Sequence, residues 1–322
     1  MKRQTTYIRL SETIAVCKTV SSACAIMITL AAVLSLTGCV KDELHHTPHP
    51  DKGALVITAD WSGRSDDAWQ PERYIIKVDG QPYEVSELYT APAASAGSSR
   101  AAFSPVLPAL FTPGIHSLLV YNEPKGFTID GNIATVGTLE NGTLNAEPDY
   151  LFSAAETVNI SKDDTLRITV PMRQRIRRLK LQLTIATEDV QRIAVMEVTL
   201  TGIASSIDLS TGSITSTEGR TVVPAWTVQT PDADGDPVLA TTMRLLGVVP
   251  TERQLLTLDV KLKNGDRHSA TDDLTEQLRN FSTGGNMETL TLTSSLRLPI
   301  EAGFTGSIED WTVVDNGDIG IH

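Results

Sequence analysis

From Gly53 onward, apolar and polar residues alternate with the period of two that marks half-buried β-strands. Residues 54–61 form a short apolar run rich in β-branched side chains. Residues 74–78 repeat that texture and stop at Asp79-Gly80, a dipeptide favoured in two-residue hairpins. Gly114–Tyr121 reads as a buried strand, Asp130-Gly131 and Asn141-Gly142 punctuate the next segment, 150–155 is a short apolar patch, and 164–170 alternates up to Pro171. Between these, 91–102 is a loop of small residues. A second series opens at 173–185, where Leu179, Leu181, Leu183 and Ile185 fall on one side and Lys180, Gln182 and Thr184 on the other. Strands are predicted at 193–200, 206–209, 221–228, 238–249 and 255–262, with Asn264-Gly265 turning the chain into 267–270. Residues 273–281 fit one short helix, and 287–293 and 308–314 complete the set. Short strands separated by turn dipeptides predict an all-β fold of sandwiches rather than α/β layers. The division falls into residues 53–172 and 173–322, two units of ordinary domain size.

The first 52 residues have a different texture. Lys2, Arg3, Arg9 and Lys18 precede an apolar run over 22–36, long enough for a secretory signal and short for a bilayer span. The run closes on Leu36-Thr37-Gly38-Cys39. With Leu at −3, Gly at −1 and Cys at +1, it resembles the lipobox of bacterial lipoproteins. That resemblance implies cleavage between Gly38 and Cys39 and a lipid on the Cys39 sulfur, which makes 1–38 a signal peptide. The alternative, a buried helix ending in Gly-Cys, would leave the basic start without a reason. Residues 39–52 are polar, carry prolines and have no apolar period, as a flexible tether does. Within them Lys41-Asp42-Glu43 resembles the short signal that sends Bacteroidetes lipoproteins to the outer cell surface.

Composition sharpens this picture. Of three cysteines, Cys17 and Cys24 precede the cleavage point, so the mature chain keeps Cys39 alone and its core must hold without disulfides. Removing 38 of 322 residues leaves 284, enough for two domains. The removed part carries four basic residues and one acid, so a net charge of −12 becomes −15. Such an acidic chain is a poor match for nucleic acid or for anionic lipid headgroups.

Catalytic chemistry is hard to place. The sequence has no Gly-x-Ser-x-Gly elbow, no His-Glu-x-x-His and no phosphate-cradling glycine loop, and we expect no enzyme. We also expect no metal or other cofactor. His45, His46 and His49 sit in the tether with nothing rigid to hold them. Asp232, Asp234 and Asp236 have the 1, 3, 5 spacing of a calcium loop, but Pro237 and Met243 stand where such a loop needs Gly and Glu. Arg173, Arg175, Arg177, Arg178 and Lys180 suggest an anion site, although alternation and the surrounding acids favour a solvated, salt-bridged face. His116 and His268 lie in or beside strands without a partner visible in the sequence.

The order of features carries a family resemblance. A lipobox and polar tether lead into two β units, with an arginine-rich strand after Val170-Pro171. Then come Phe281-x-x-Gly-Gly-Asn286, Thr289-Leu-Thr-Leu-Thr and Ile308-Glu-Asp-Trp-Thr312. The chain resembles the fimbrillin-like lipoproteins of Bacteroidales, nearest to the anchor and accessory subunits of the major fimbriae. The resemblance implies two tandem transthyretin-like β-sandwich domains and an outer-membrane lipoprotein exposed on the cell surface in fimbriae. It also implies other fimbrial subunits as partners, joined by addition of a strand to an open sheet edge. Polymerising members of the family lose an N-terminal segment after an arginine, for which Arg64 and Arg100 are the candidates here by position; anchors keep the lipid. A second reading from another class is a surface glycan-binding lipoprotein of a polysaccharide-uptake system. Sugar platforms need exposed aromatics, which make up 5% of this chain, with Trp61 and Trp311 expected in strands.

Overall fold

The computed structural model describes residues 51–86, 107–229, 235–282, 287–298 and 307–314. Cys39, the lipobox, the tether histidines, Arg100, the 91–102 loop, Asp232, Asp234 and the 283–286 turn lie outside them. The described residues hold twenty strands, numbered β1 to β20 along the chain, and two short helices. The fold is all-β and sandwich-like.

Five strands form one antiparallel sheet in the order β3 (Gln81–Ser86), β2 (Arg73–Val78), β4 (Gly114–Tyr121), β7 (Phe152–Ile160), β9 (Arg173–Gln174). At Asp79-Gly80 both φ angles are positive, 50° and 82°, the type I′ geometry that lets Val78 pair directly with Gln81. β1 (Ala54–Asp60) and β8 (Thr165–Pro171) pair in parallel. Leu55, Val56 and Ile57 are all buried, the continuous apolar run of a strand covered on both faces. Trp61, one residue past β1, is buried edge-on against Tyr74 and Phe152, with ring centroids 5.9 and 5.3 Å away.

A second group of sheets uses the later residues. One runs β14 (Thr227–Gln229), β15 (Val238–Leu245), β10 (Arg177–Ile185), β18 (Leu290–Arg297), β19 (Ser307–Ile308), with β20 (Thr312–Val314) also on β18. Another runs β13 (Arg220–Val222), β11 (Ile193–Ile203), β16 (Leu255–Leu262), β17 (Arg267–Asp273). β10 is central, antiparallel to β15 and parallel to β18. Its alternation is the one the sequence predicts, with Leu179, Leu181, Leu183 and Ile185 fully buried. The Asn264-Gly265 hairpin also forms, closed by Leu262 N–H donating to the Asp266 carbonyl at 2.8 Å.

Pairing crosses between the groups in one small sheet, where β5 (Phe127–Asp130) and β6 (Ile133–Val136) meet β12 (Ser206–Asp208). Core side chains from both groups belong to one continuous cluster.

Several expectations shift. The single strand expected at 221–228 is two, β13 and β14, on different sheets, because Pro224 between them has no N–H for a ladder. The strand expected at 287–293 occupies 290–297, and the C-terminal run splits into β19 and β20 at the buried Trp311. Trp61 and Trp311 each lie one residue outside a strand. The short helix in 273–281 forms as α2 (Thr275–Leu278), whereas α1 (Thr187–Arg192) buries no residue and so leaves no periodic signal.

Candidate functional site

Residues 51–72 meet the sheets through a set of fixed contacts, and Arg64 lies among them. β1 is held from its first residue. Asp51 pairs with Lys162, Asp163 N–H donates to the Lys52 carbonyl at 3.2 Å, and Ala54 N–H donates to the Asp164 carbonyl at 2.8 Å. Gly53 exchanges two 2.8 Å hydrogen bonds with Phe111 on the other side. A Cβ on Gly53 would stand 2.3 Å from the Ser161 carbonyl oxygen, so only glycine fits this entry. Past β1, Met172 N–H donates to the Asp60 carbonyl at 2.8 Å.

Arg64 comes next, in a turn. It is exposed, but its guanidinium folds back on its own loop, with Nε donating to the Ala68 carbonyl at 3.1 Å and Nη1 to the Trp61 carbonyl at 3.2 Å. Ser65 is buried, and both its N–H and its hydroxyl donate to Gln174 Oε1, at 2.9 and 3.0 Å. The 64–65 peptide is therefore pinned, unlike the loop tips where proteolysis concentrates. A cut there would also sever the covalent link between β1, with Leu55, Val56, Ile57 and Trp61, and the rest of the core.

The same loop is tied to the later sheets. Arg178 on β10 meets Asp67 at 3.0 Å, and Tyr150 donates its hydroxyl to the same carboxylate oxygen. Burial first, and then that hydrogen bond, push the Tyr150 hydroxyl pKa far above its ordinary value. Arg244 on β15 lies over the rings of Trp69 and Tyr150 at 5.5 and 5.6 Å and donates to the Pro148 and Glu147 carbonyls. Arg177 donates to the Glu288 carbonyl at 2.7 Å and packs over Phe281, and Arg175 donates to Ser153 Oγ at 2.8 Å.

The arginine-rich stretch thus differs from the solvated face expected of it. Only Arg173 of the five is fully exposed; the other four are half-buried. Burial holds the pKa values of Arg175 and Arg177 below the usual guanidinium range. Arg175 donates to Ser153, Arg177 donates to two carbonyl groups and Arg178 pairs with Asp67, so these three brace the fold rather than presenting an anion site. Sequence spacing could not reveal this, because Asp67 and Arg178 are far apart along the chain.

His116 does have a partner, contrary to the expectation from sequence. Its Nδ1 lies 2.6 Å from Asp79 Oδ2, and its Nε2 lies 2.7 Å from the Thr112 carbonyl. Both ring nitrogens face acceptors, which suits the doubly protonated ring. Hydrogen bonding to Thr112 and Asp79 raises the His116 pKa. The same contact, with the Ser117 N–H, lowers that of Asp79. The Asp79-Gly80 turn swings Asp79 onto β4, a contact that forms only once β2 and β4 pair. Among the described residues no group of His, Cys, Asp and Glu has the arrangement of a metal site. Asp236, the one described member of the 232–236 acids, is exposed.

Open edges remain. Among the described residues, β8 pairs only with β1, and β14, an exposed three-residue strand, pairs only with β15. Beside β14 lies a cleft of about 250 Å³ lined by Val190, Ile193, Met196, Trp226, Val228 and Leu239. No helix among the described residues is long and apolar enough to cross a membrane.

Comparison with known proteins gives a consistent set. The sequence profile of the family described as fimbrillin-A associated anchor proteins Mfa1 and Mfa2 matches residues 112–317. No curated protein matches. Among solved structures, the fimbrial anchor protein Mfa2 of Porphyromonas gingivalis aligns with a TM-score of 0.54 at 9% identity, over 81% of this chain and 97% of that one. A candidate adhesin of Bacteroides ovatus aligns with a TM-score of 0.56 at 13% identity, over 82% and 96%. A candidate polysaccharide-binding protein of Bacteroides thetaiotaomicron aligns with a TM-score of 0.51 at 10% identity, over 76% and 92%. At these identities the structural likeness speaks to the fold alone.

Proposed function

The chain belongs to the family of fimbrillin-A associated anchor proteins Mfa1 and Mfa2, and from that membership we propose that it is a lipid-anchored fimbrial subunit fixing one end of a surface fibre to the outer membrane. The observation that carries this reading is the family match over 112–317. Signal cleavage between Gly38 and Cys39 leaves the lipid on Cys39. Residues 39–52 act as the tether, and 53–172 and 173–322 form two β-sandwich domains. The protein meets other fimbrial subunits by strand addition at an open sheet edge. Its role is structural rather than catalytic.

An anchor must keep its N-terminus, and the geometry around Arg64 supports retention. The Arg64–Ser65 peptide is fastened by Gln174, and β1 upstream is locked at both ends. Mass spectrometry of the cell-surface form tests the reading. A mature chain starting at a lipid-modified Cys39 is expected; one starting at residue 65 or 101 would make it a polymerising subunit instead. For a glycan-binding role the described aromatics offer little support. Trp61 and Trp311 are buried, Trp226 is half-buried, and Trp69, 48% exposed, is packed against Tyr150 and Arg244.

A further inference from the structure

We propose that the β1–β8 pair is the force-bearing clamp of the molecule, a ladder that tension on the fibre loads in shear. The inference rests on the anchor reading for the source of the force, and on topology for its consequence. Tension enters at Cys39, runs through the tether and reaches Asp51 and Ala54 at the N-terminal end of β1. It leaves toward the fibre through the residues beyond β8, since β8 runs directly into β9 and then into β10, the centre of the six-stranded sheet.

β1 and β8 are parallel and in unbroken register from Ala54 opposite Thr165 to Asp60 opposite Pro171. Force therefore pulls the N-terminal end of one strand against the C-terminal end of its partner. Ladder hydrogen bonds run across the strands, so this load strains all of them together and none can fail alone. A pull on the two N-terminal ends would instead open the bonds one after another.

The pair is reinforced where the load enters and leaves. Upstream stand the Asp51–Lys162 ion pair, the Asp163-to-Lys52 and Ala54-to-Asp164 hydrogen bonds and the close seat of Gly53. Downstream, Met172 extends the ladder to Asp60, and buried Trp61 sits against Tyr74 and Phe152. Leu107 N–H donates to the Leu55 carbonyl on the opposite edge. Sliding β1 would also drag Leu55 and Ile57, both fully buried, through the core.

Single-molecule pulling on the full chain tests this by changing only the direction of force. Handles at Lys52 and Arg173 load the pair in shear; handles at Lys52 and Thr165 peel it. All three side chains are exposed, so attachment leaves the core intact. At one loading rate the unfolding force in shear is expected to be about twofold or more above that in peeling, because the bonds then share the load. Equal forces in the two directions, or a larger force in peeling, would overturn the clamp. The Cys39→Ala chain should give the same ratio, since membrane attachment does not enter this measurement. Failure of the anchor reading, seen as a Cys39→Ala protein that stays on the membrane, is thus told apart from failure of the clamp.

Discussion

At the scale of single residues, the pairing of His116 with Asp79 joins a turn to a strand through one charged contact. Asp79 holds the left-handed conformation of the hairpin turn, receives the Ser117 N–H at 2.9 Å and faces the His116 ring. Because the folded state raises the His116 pKa, the stability this contact gives is complete below the ordinary histidine value of about 6.5 and is lost as pH rises through the raised one. Asp79 has the opposite sense: its lowered pKa gives stability above the carboxylate range that is lost on strong acidification. Asp79→Asn keeps a residue tolerant of the turn and removes the charge. With the Asp79 side chain half in solvent and the contact screened, we expect it to cost about 1 kcal/mol near pH 6 and progressively less at higher pH, as followed by thermal melts across the range. A penalty that does not change with pH would show that the turn, not the ion pair, is what the substitution damages. The sequence made the turn legible and the contact not, because hairpin chemistry is local whereas Asp79 and His116 meet only once β2 and β4 pair. The Asp67–Arg178 pair has the same character and left no trace in either segment.

At the scale of elements, the legible strands include those with one face buried along their length and the continuous apolar runs of β1 and β4. β10 and β16 alternate cleanly, and their buried leucines line the core. β7 shows in the sequence only at its start, because Ala155, Glu156 and Thr157 are exposed in succession and break the pattern. β5 and β6, four residues each, are too short to show a period, although the Asp130-Gly131 turn joining them is visible in the sequence. β10 is also where packing energy is most exposed to substitution. Leu181 is fully buried between β15 and β18, so Leu181→Ala is expected to cost about 2–5 kcal/mol in chemical denaturation. Lys180→Ala, on the other face of the same strand, should stay within about 1 kcal/mol. Comparable losses at the two positions would deny β10 its place in the core.

At the scale of the whole molecule, the arginines of 175–178, Arg244 and the 61–72 loop join the earlier sheets to the later ones, and the small β5–β6–β12 sheet crosses between them. Such cross-bracing is what the proposed anchor role, with force passing from one end to the other, would require. Its all-β character was legible from the period of two. The bracing was not, because a half-buried arginine clamping carbonyl groups has the same sequence signature as a solvated one. On the proposed reading, attachment reduces to one sulfur atom, that of Cys39. The most direct test expresses Cys39→Ala in place of the native chain and measures how much fibre stays with washed cells and how much enters the medium. The account predicts that the protein and its fibres move from the cells to the medium, with fibre subunits still made. Fibres that remain cell-bound in normal amount without Cys39 would contradict it.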